Sequence, residues 1–191
     1  MQCDLKWSEQ VAKLIGKLKT RLAGLDHLKL IMGKTNKTTI VEGVFNSVLC
    51  YCLPLFGGCN VSELQALQVQ QNRAARIVLN LPPRTNRDFM FDKLVWMTVQ
   101  QLVAYHTLIT VFRIRKSQEP EYLATAFGRD NRCGNIIVSN SKLGLYKKSF
   151  VPRGSVLWNR LPKSLRNQKK VGKFKKDLRT WVAEHVEKFA S

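Results

Sequence analysis

The sequence predicts a mainly α-helical protein that ends in a smaller, basic α+β region containing a short β hairpin. Three observations carry that prediction. Apolar residues recur at three- and four-residue spacing through several long stretches. Capping residues and Pro or Gly breakers punctuate those stretches. Lysine and arginine then gather in the last third, where the helical pattern briefly gives way to alternation.

Leu5 to Leu25 reads as a basic amphipathic helix, with Val11, Leu14, Ile15, Leu18 and Leu22 on one side and Lys13, Lys17 and Arg21 on another. Gly24 suits its end. Thr35 to Leu53 reads as a second helix with a wide buried stripe of Ile40, Val41, Val44, Phe45, Val48 and Leu49, stopped by Pro54 and Gly57-Gly58. A third helix covers Leu64 to Asn80, LQALQVQQNRAARIVLN, opened by a capping box of Ser62 and Gln65 and closed before Pro82-Pro83. Its Leu64, Leu67, Ala74, Ala75 and Val78 face a core. Asn72, Arg73 and Arg76 fall on the other side, where guanidinium groups can meet phosphate. An ordinary amphipathic helix with solvated arginines has the same pattern.

Phe89 to Leu94 reads as a short helix. Thr98 and Gln101 form a further capping box opening a helix to about Lys116, whose Val99, Leu102, Val103, Leu108, Ile109 and Phe112 are too many for a surface element. His106 within it reads as a packed histidine rather than a catalyst. Glu119 to Phe127 is another short helix. The character changes at Gly128: Arg129 to Asn135 is polar, and Ile136-Ile137-Val138 and Leu143 to Phe150 read as short strands about a turn at Asn140-Ser141. Val156-Leu157-Trp158 precedes Leu161-Pro162, and Lys163 to Arg166 makes one helical turn. Val171 to Phe189 is the final helix, with Phe174, Leu178, Trp181, Val182 and Val186 inward. These elements divide into residues 1–82, a connector 83–128, and a basic region 129–191.

The net charge of +19 and pI near 10.1 demand a polyanionic partner or a strongly charged surface. Residues 129–191 hold 16 Lys+Arg against 4 Asp+Glu, so nucleic acid leads the candidates, ahead of an anionic membrane or an acidic protein. No apolar run reaches transmembrane length and no signal peptide opens the chain, so the expectation is a soluble intracellular protein, nuclear or cytoplasmic, with no membrane partner. Cys3, Cys50, Cys52, Cys59 and Cys133 are expected to be buried free thiols, and their spacing fits no zinc pattern.

The wording Gln70-Gln71-Asn72-Arg73-Ala74-Ala75-Arg76, after the Leu-Gln repeats, resembles the C-terminal part of non-LTR retrotransposon reverse transcriptases of the jockey or CR1 type. Further marks stand in that family's order: Leu5-Lys6-Trp7, the Trp96 helix with His106, Pro120-Glu121-Tyr122-Leu123, Trp158-Asn159-Arg160-Leu161-Pro162 and Phe174-Lys175-Lys176. The resemblance implies that the first helices form a polymerase thumb, with Arg73, Arg76 and the lysines of the first helix on the duplex backbone. It also implies a fragment, because Met1 falls just past the palm.

Polymerisation needs closely set carboxylates holding two Mg²⁺ ions, and no adjacent Asp-Asp occurs in this chain. Any Mg²⁺ would belong to the missing palm, and no cofactor is expected here. There is no Gly-rich phosphate loop, the histidines lack ligand spacing, and nothing singles out a Cys–His nucleophile. The chain reads as a binding module. In its basic third, Lys147, Lys148 and Arg153 surround Phe150, and Arg160, Lys163 and Arg166 surround Trp158. Lys173, Lys175, Lys176 and Arg179 flank the apolar stripe of the last helix, and Lys169 and Lys170 precede it. Cations beside aromatics suit single strands, where rings stack on bases; the competing reading makes both rings core residues. The expected partners are RNA or DNA backbone and the rest of the polymerase. The rival function is a helical interaction protein, derived from the element, that binds an acidic protein.

Overall fold

Helical spacing dominates the sequence and helices dominate the computed structural model, which describes residues 7–28, 31–128, 130–138 and 142–186. The chain divides into two units, Met1–Val99 and Gln100–Ser191. The residues read as a connector contribute to both.

In the first unit, α1 (Ser8–Leu28) buries Val11, Leu14, Leu18, Leu22 and Leu25, which adds a leucine to the expected face, while Ile15 of that face is only half-buried. The second expected helix is built differently. It comprises α2 (Lys34–Val41), a π-helical turn (Glu42–Asn46) and α3 (Ser47–Cys50). The wider π turn favours a four-residue repeat on one face, so Val41, Phe45 and Leu49 are buried. Ile40 and Val48 are only half-buried and Val44 is exposed, which narrows the expected stripe. Arg21 of α1 donates through Nη1 to the Val44 carbonyl within this turn.

Pro54 does not simply stop a helix. It sits in the first turn of α4 (Leu53–Phe56), where a missing N–H costs nothing. The next helix, α5 (Val61–Leu79), starts earlier than expected. Its capping box is Asn60 with Glu63, not Ser62 with Gln65, and the Asn60 N–H donates to Glu63 Oε2 at 2.7 Å. Asn80 ends it at φ 52°, a left-handed position that asparagine tolerates. α1 and α2 pack on α5, whose Leu67, Ala74, Ala75, Ile77 and Val78 are buried. α6 (Arg87–Leu94), capped by Asn86, seats Met90 and Phe91 against Ala75.

The chain enters the second unit on α7 (Val99–Ser117) and continues through α8 (Glu121–Gly128), α9 (Gly144–Lys148), α10 (Phe150–Arg160), α11 (Lys163–Arg166) and α12 (Val171–His185). Its aliphatic core holds a cluster of three rings. Phe112 of α7 stacks on Phe174 of α12 with centroids 4.1 Å apart, and Trp158 of α10 tilts against both rings.

The expected hairpin and α+β character are not found. Among the described residues no strand occurs, and β pairing is limited to one antiparallel bridge, Asp130 with Ile136. Leu143 to Phe150, read as a strand, is α9 and the start of α10, while the turn expected at Asn140-Ser141 lies outside the described residues. Packing explains the outcome. Pro152 occupies the first turn of α10, where its lack of an N–H is harmless, and Pro152, Ser155 and Trp158 bury one helical face. Gly154 permits close approach: a Cβ there would lie 3.0 Å from Val111 Cγ2 and 3.3 Å from the Phe127 ring.

Candidate nucleic-acid interface

The LQVQQNR stretch of α5 turns most of its polar groups to structure. Gln68 Nε2 donates to Gln71 Oε1 at 3.1 Å and to Asn72 Oδ1 at 2.9 Å, while Gln68 Oε1 accepts the Val99 N–H at 2.8 Å. Gln71, 1% exposed, donates from Nε2 to the Met97 carbonyl at 2.9 Å. Two amides of α5 thus fix the segment leading into α7 and satisfy main-chain groups there. Asn72 is engaged within this network. Of the two arginines read as duplex contacts, Arg73 is exposed and Arg76 is half-buried, with Nε enclosed and lacking a hydrogen-bond acceptor.

On α1, Lys13, Lys17 and Arg21 are exposed, as an outward face requires. Lys13 pairs with Glu9 at 2.6 Å, and its ammonium, by hydrogen bond and charge, holds the Glu9 carboxyl below its ordinary value. Arg21 is committed to Val44. Sequence reasoning missed Lys37, which is 5% exposed and donates from Nζ to Asn80 Oδ1 at 2.8 Å. A lysine in a polar-looking segment, Lys34 to Thr39, gave no signal for burial.

In the second unit, Trp158-Asn159-Arg160-Leu161-Pro162 resolves into separate tasks. Trp158 is 3% exposed and Leu161 2%, so both are core residues. Asn159 grips the main chain of Ile136: Oδ1 accepts its N–H at 2.8 Å and Nδ2 donates to its carbonyl at 2.9 Å, as a strand neighbour would. Arg166 donates from Nη1 to the Gly134 carbonyl at 2.9 Å and to Asn135 Oδ1 at 2.8 Å. Asn131 closes the same loop, its Oδ1 accepting from the Cys133 and Asn135 N–H groups. Residues 130–136, read from the sequence only as polar up to Asn135, form a loop held by these side chains.

Phe150 and Trp158 are not presented as stacking platforms. Phe150 is half-buried edge-on to Phe127, with centroids 5.6 Å apart. Trp158 carries Arg115 over its ring at 5.4 Å. That guanidinium also makes a two-bond fork with Asp130, at 3.0 and 2.8 Å, and donates to the Phe127 carbonyl. Sequence reasoning missed Arg115, because its partners lie 12 to 43 residues along the chain.

The cations that remain outward form the site. Lys147, Lys148, Arg160, Lys163, Lys169, Lys170, Lys173, Lys176 and Arg179 are exposed, while Arg153 and Lys175 are half-buried. Lys173 and Lys176 share a stripe of α12, whose N-cap is Lys170, preceded by Lys169, and whose first turn holds no acidic residue. Lys116 of α7 donates to the Lys169 carbonyl, fixing this entry. Asp177, an acid of α12, is turned to Gln168 at 2.6 Å.

One histidine lies close to this charge. His106 is half-buried and held below its ordinary value, first by burial and then by the charges of Lys175 and Arg113. Burial raises the neighbouring Tyr105 hydroxyl, against the pull of Arg179. Cys50 and Cys59 are half-buried, but Cys52 and Cys133 are exposed, which corrects the expectation of buried thiols. Burial pushes the Cys50 thiol up to about 11. Among the described residues no three His, Cys, Asp or Glu side chains gather where they could hold a metal ion, and no single helix is long and apolar enough to cross a membrane.

Fold and site thus define a helical, strongly basic protein whose outward charge concentrates in its second unit. No protein-family model matches the chain, and no curated protein or solved structure matches it.

Proposed function

We propose that this chain holds nucleic acid through phosphate contacts, as the thumb and C-terminal region of a non-LTR retrotransposon reverse transcriptase, with no catalytic residues of its own. The observation that carries the reading is the entry to α12. Exposed Lys169, Lys170 and Lys173 crowd the positive end of a helix whose first turn holds no acid. Cations there oppose the helix dipole, so the arrangement is unfavourable alone and is relieved by an arriving polyanion. Lys176, Lys163, Arg160, Lys147 and Lys148 extend the positive surface of the same unit. In the first unit, Arg73 and the α1 lysines are the exposed cations for a paired backbone. Such contacts position a strand without reading its bases.

The test is the salt dependence of binding. Replacing Lys169, Lys170, Lys173, Lys175 and Lys176 with glutamine should weaken binding to all sequences alike. It should also flatten the slope of log K against log salt by about 0.9 per lost contact on duplex DNA, or about 0.7 on single strands. An unchanged slope rejects this surface. Binding to an acidic protein that survives nuclease and heparin would favour the interaction-protein function instead.

A further inference from the structure

The Phe112–Phe174 stack ties α7 to α12 and sets what lies beside it. Arg113 and Lys175 each follow one of those phenylalanines in sequence. His106, Thr110 and Arg113 have i, i+4, i+7 spacing and share a stripe of α7, while Lys175 and Arg179 share a stripe of α12. Tyr105 and His106 meet edge-on, with ring centroids 5.5 Å apart, and neither is fully buried. The Thr110 hydroxyl is turned back onto the His106 carbonyl at 2.8 Å, leaving the stripe to the ring and the guanidinium. Arg113 shares the His106 stripe of α7, and Lys175 and Arg179 stand on the helix that the phenylalanine stack joins to it, while both rings stay partly exposed. The charges acting on His106 are those of Lys175 and Arg113, both positive, and the one acting on Tyr105 is that of Arg179.

We propose that this α7–α12 seam seats single-stranded nucleic acid, with Arg113, Lys175 and Arg179 on successive phosphates and the Tyr105–His106 pair against an unstacked base. The inference rests on the nucleic-acid reading and places the base contact away from Phe150 and Trp158. Cations that track a backbone beside rings that accept any base are the chemistry of sequence-tolerant single-strand binding. The seam also makes binding respond to pH. His106 is held below its ordinary value in the free protein, and a phosphate beside it favours the imidazolium, so binding is linked to proton uptake. Affinity therefore rises as pH falls from the higher His106 pKa of the complex toward the lower one of the free chain.

The experiment measures anisotropy of a labelled oligouridine with the full chain, across salt and between about pH 5 and 8. Tyr105→Leu should weaken binding about ten-fold, while Tyr105→Phe, which keeps the ring, should not. Arg113→Gln with Lys175→Gln should flatten the salt slope by about 1.4 for two single-strand contacts. His106→Gln should flatten the pH dependence. Photocrosslinking of the unmutated chain to a 5-iodouridine oligonucleotide guards against misfolded variants, and its adduct should fall on the peptide holding Tyr105. Binding that persists with none of these changes, or adducts found only elsewhere, overturns the seam and leaves the phosphate-binding reading standing. A chain that binds no nucleic acid overturns both.

Discussion

The two units use their most conspicuous polar residues differently. Met1–Val99 holds 13 Lys+Arg against 7 Asp+Glu and places its most distinctive polar run, Gln68 to Asn72, in an internal amide network. Gln100–Ser191 holds 19 against 6 and sends most of that charge outward around its core. A motif that looks like a surface signature can thus be scaffold, because amides satisfy main-chain groups that charged side chains would be costly to bury beside. Excess charge cannot hide in this way and must find solvent or a partner.

The largest test of this contrast is Trp158→Ala. Removing the ring leaves a cavity beside the stacked Phe112–Phe174 pair and takes away the face under Arg115, at a cost of about 3–5 kcal/mol. Hydrogen exchange should show the loss in α10 and α12, while α1 and α5 keep their protection. Equal loss in α5 would mean that the two units unfold as one body.

Asn159→Ala is the next step down. It leaves the Ile136 N–H and carbonyl without their side-chain partners, for about 1–3 kcal/mol by urea denaturation. In the first unit, Gln71→Leu should cost about 1–2 kcal/mol through the orphaned Met97 carbonyl and raise exchange at residues 97–99. No loss would return the QQN run to the surface class and break the contrast.

A finer test uses acid. His106 is lowered in the folded chain, so the unfolded chain binds the extra proton first as pH falls. Its contribution to stability is complete above the ordinary histidine value, near 6.5, and is lost as pH drops from there to the folded value. His106→Gln should remove that part of the acid sensitivity seen in thermal melts. The smallest expected effect is Arg73→Gln, within about 0.5 kcal/mol of the parent in stability, since the side chain is exposed.

Helices were legible wherever apolar residues kept their spacing over several turns. α1, α5, α7 and α12 lie close to their expected spans, and their buried faces largely match: Val11, Leu14, Leu18 and Leu22 in one, Phe174, Leu178 and Val182 in another. Short elements were less legible. Leu143 to Phe150 alternates like a strand, and nothing local reveals that α10 will bury Pro152, Ser155 and Trp158 instead. Of the candidate site, exposure was legible for the tail lysines, whereas the ties of Arg21, Asn72 and Arg166 were not, since two of the three depend on partners more than 20 residues away.

By itself the sequence determined that the protein is helical, where its long helices run, and that its last third is strongly basic, because periodicity and charge are local properties that survive any arrangement of the elements. Tertiary structure decided the rest. Packing gave α10 its helical form, turned Gln68 and Gln71 inward, and lodged Trp158 beneath Arg115. Each of these outcomes depends on which distant group offers a surface to bury against or a hydrogen bond to complete, and that is set only when the chain closes on itself.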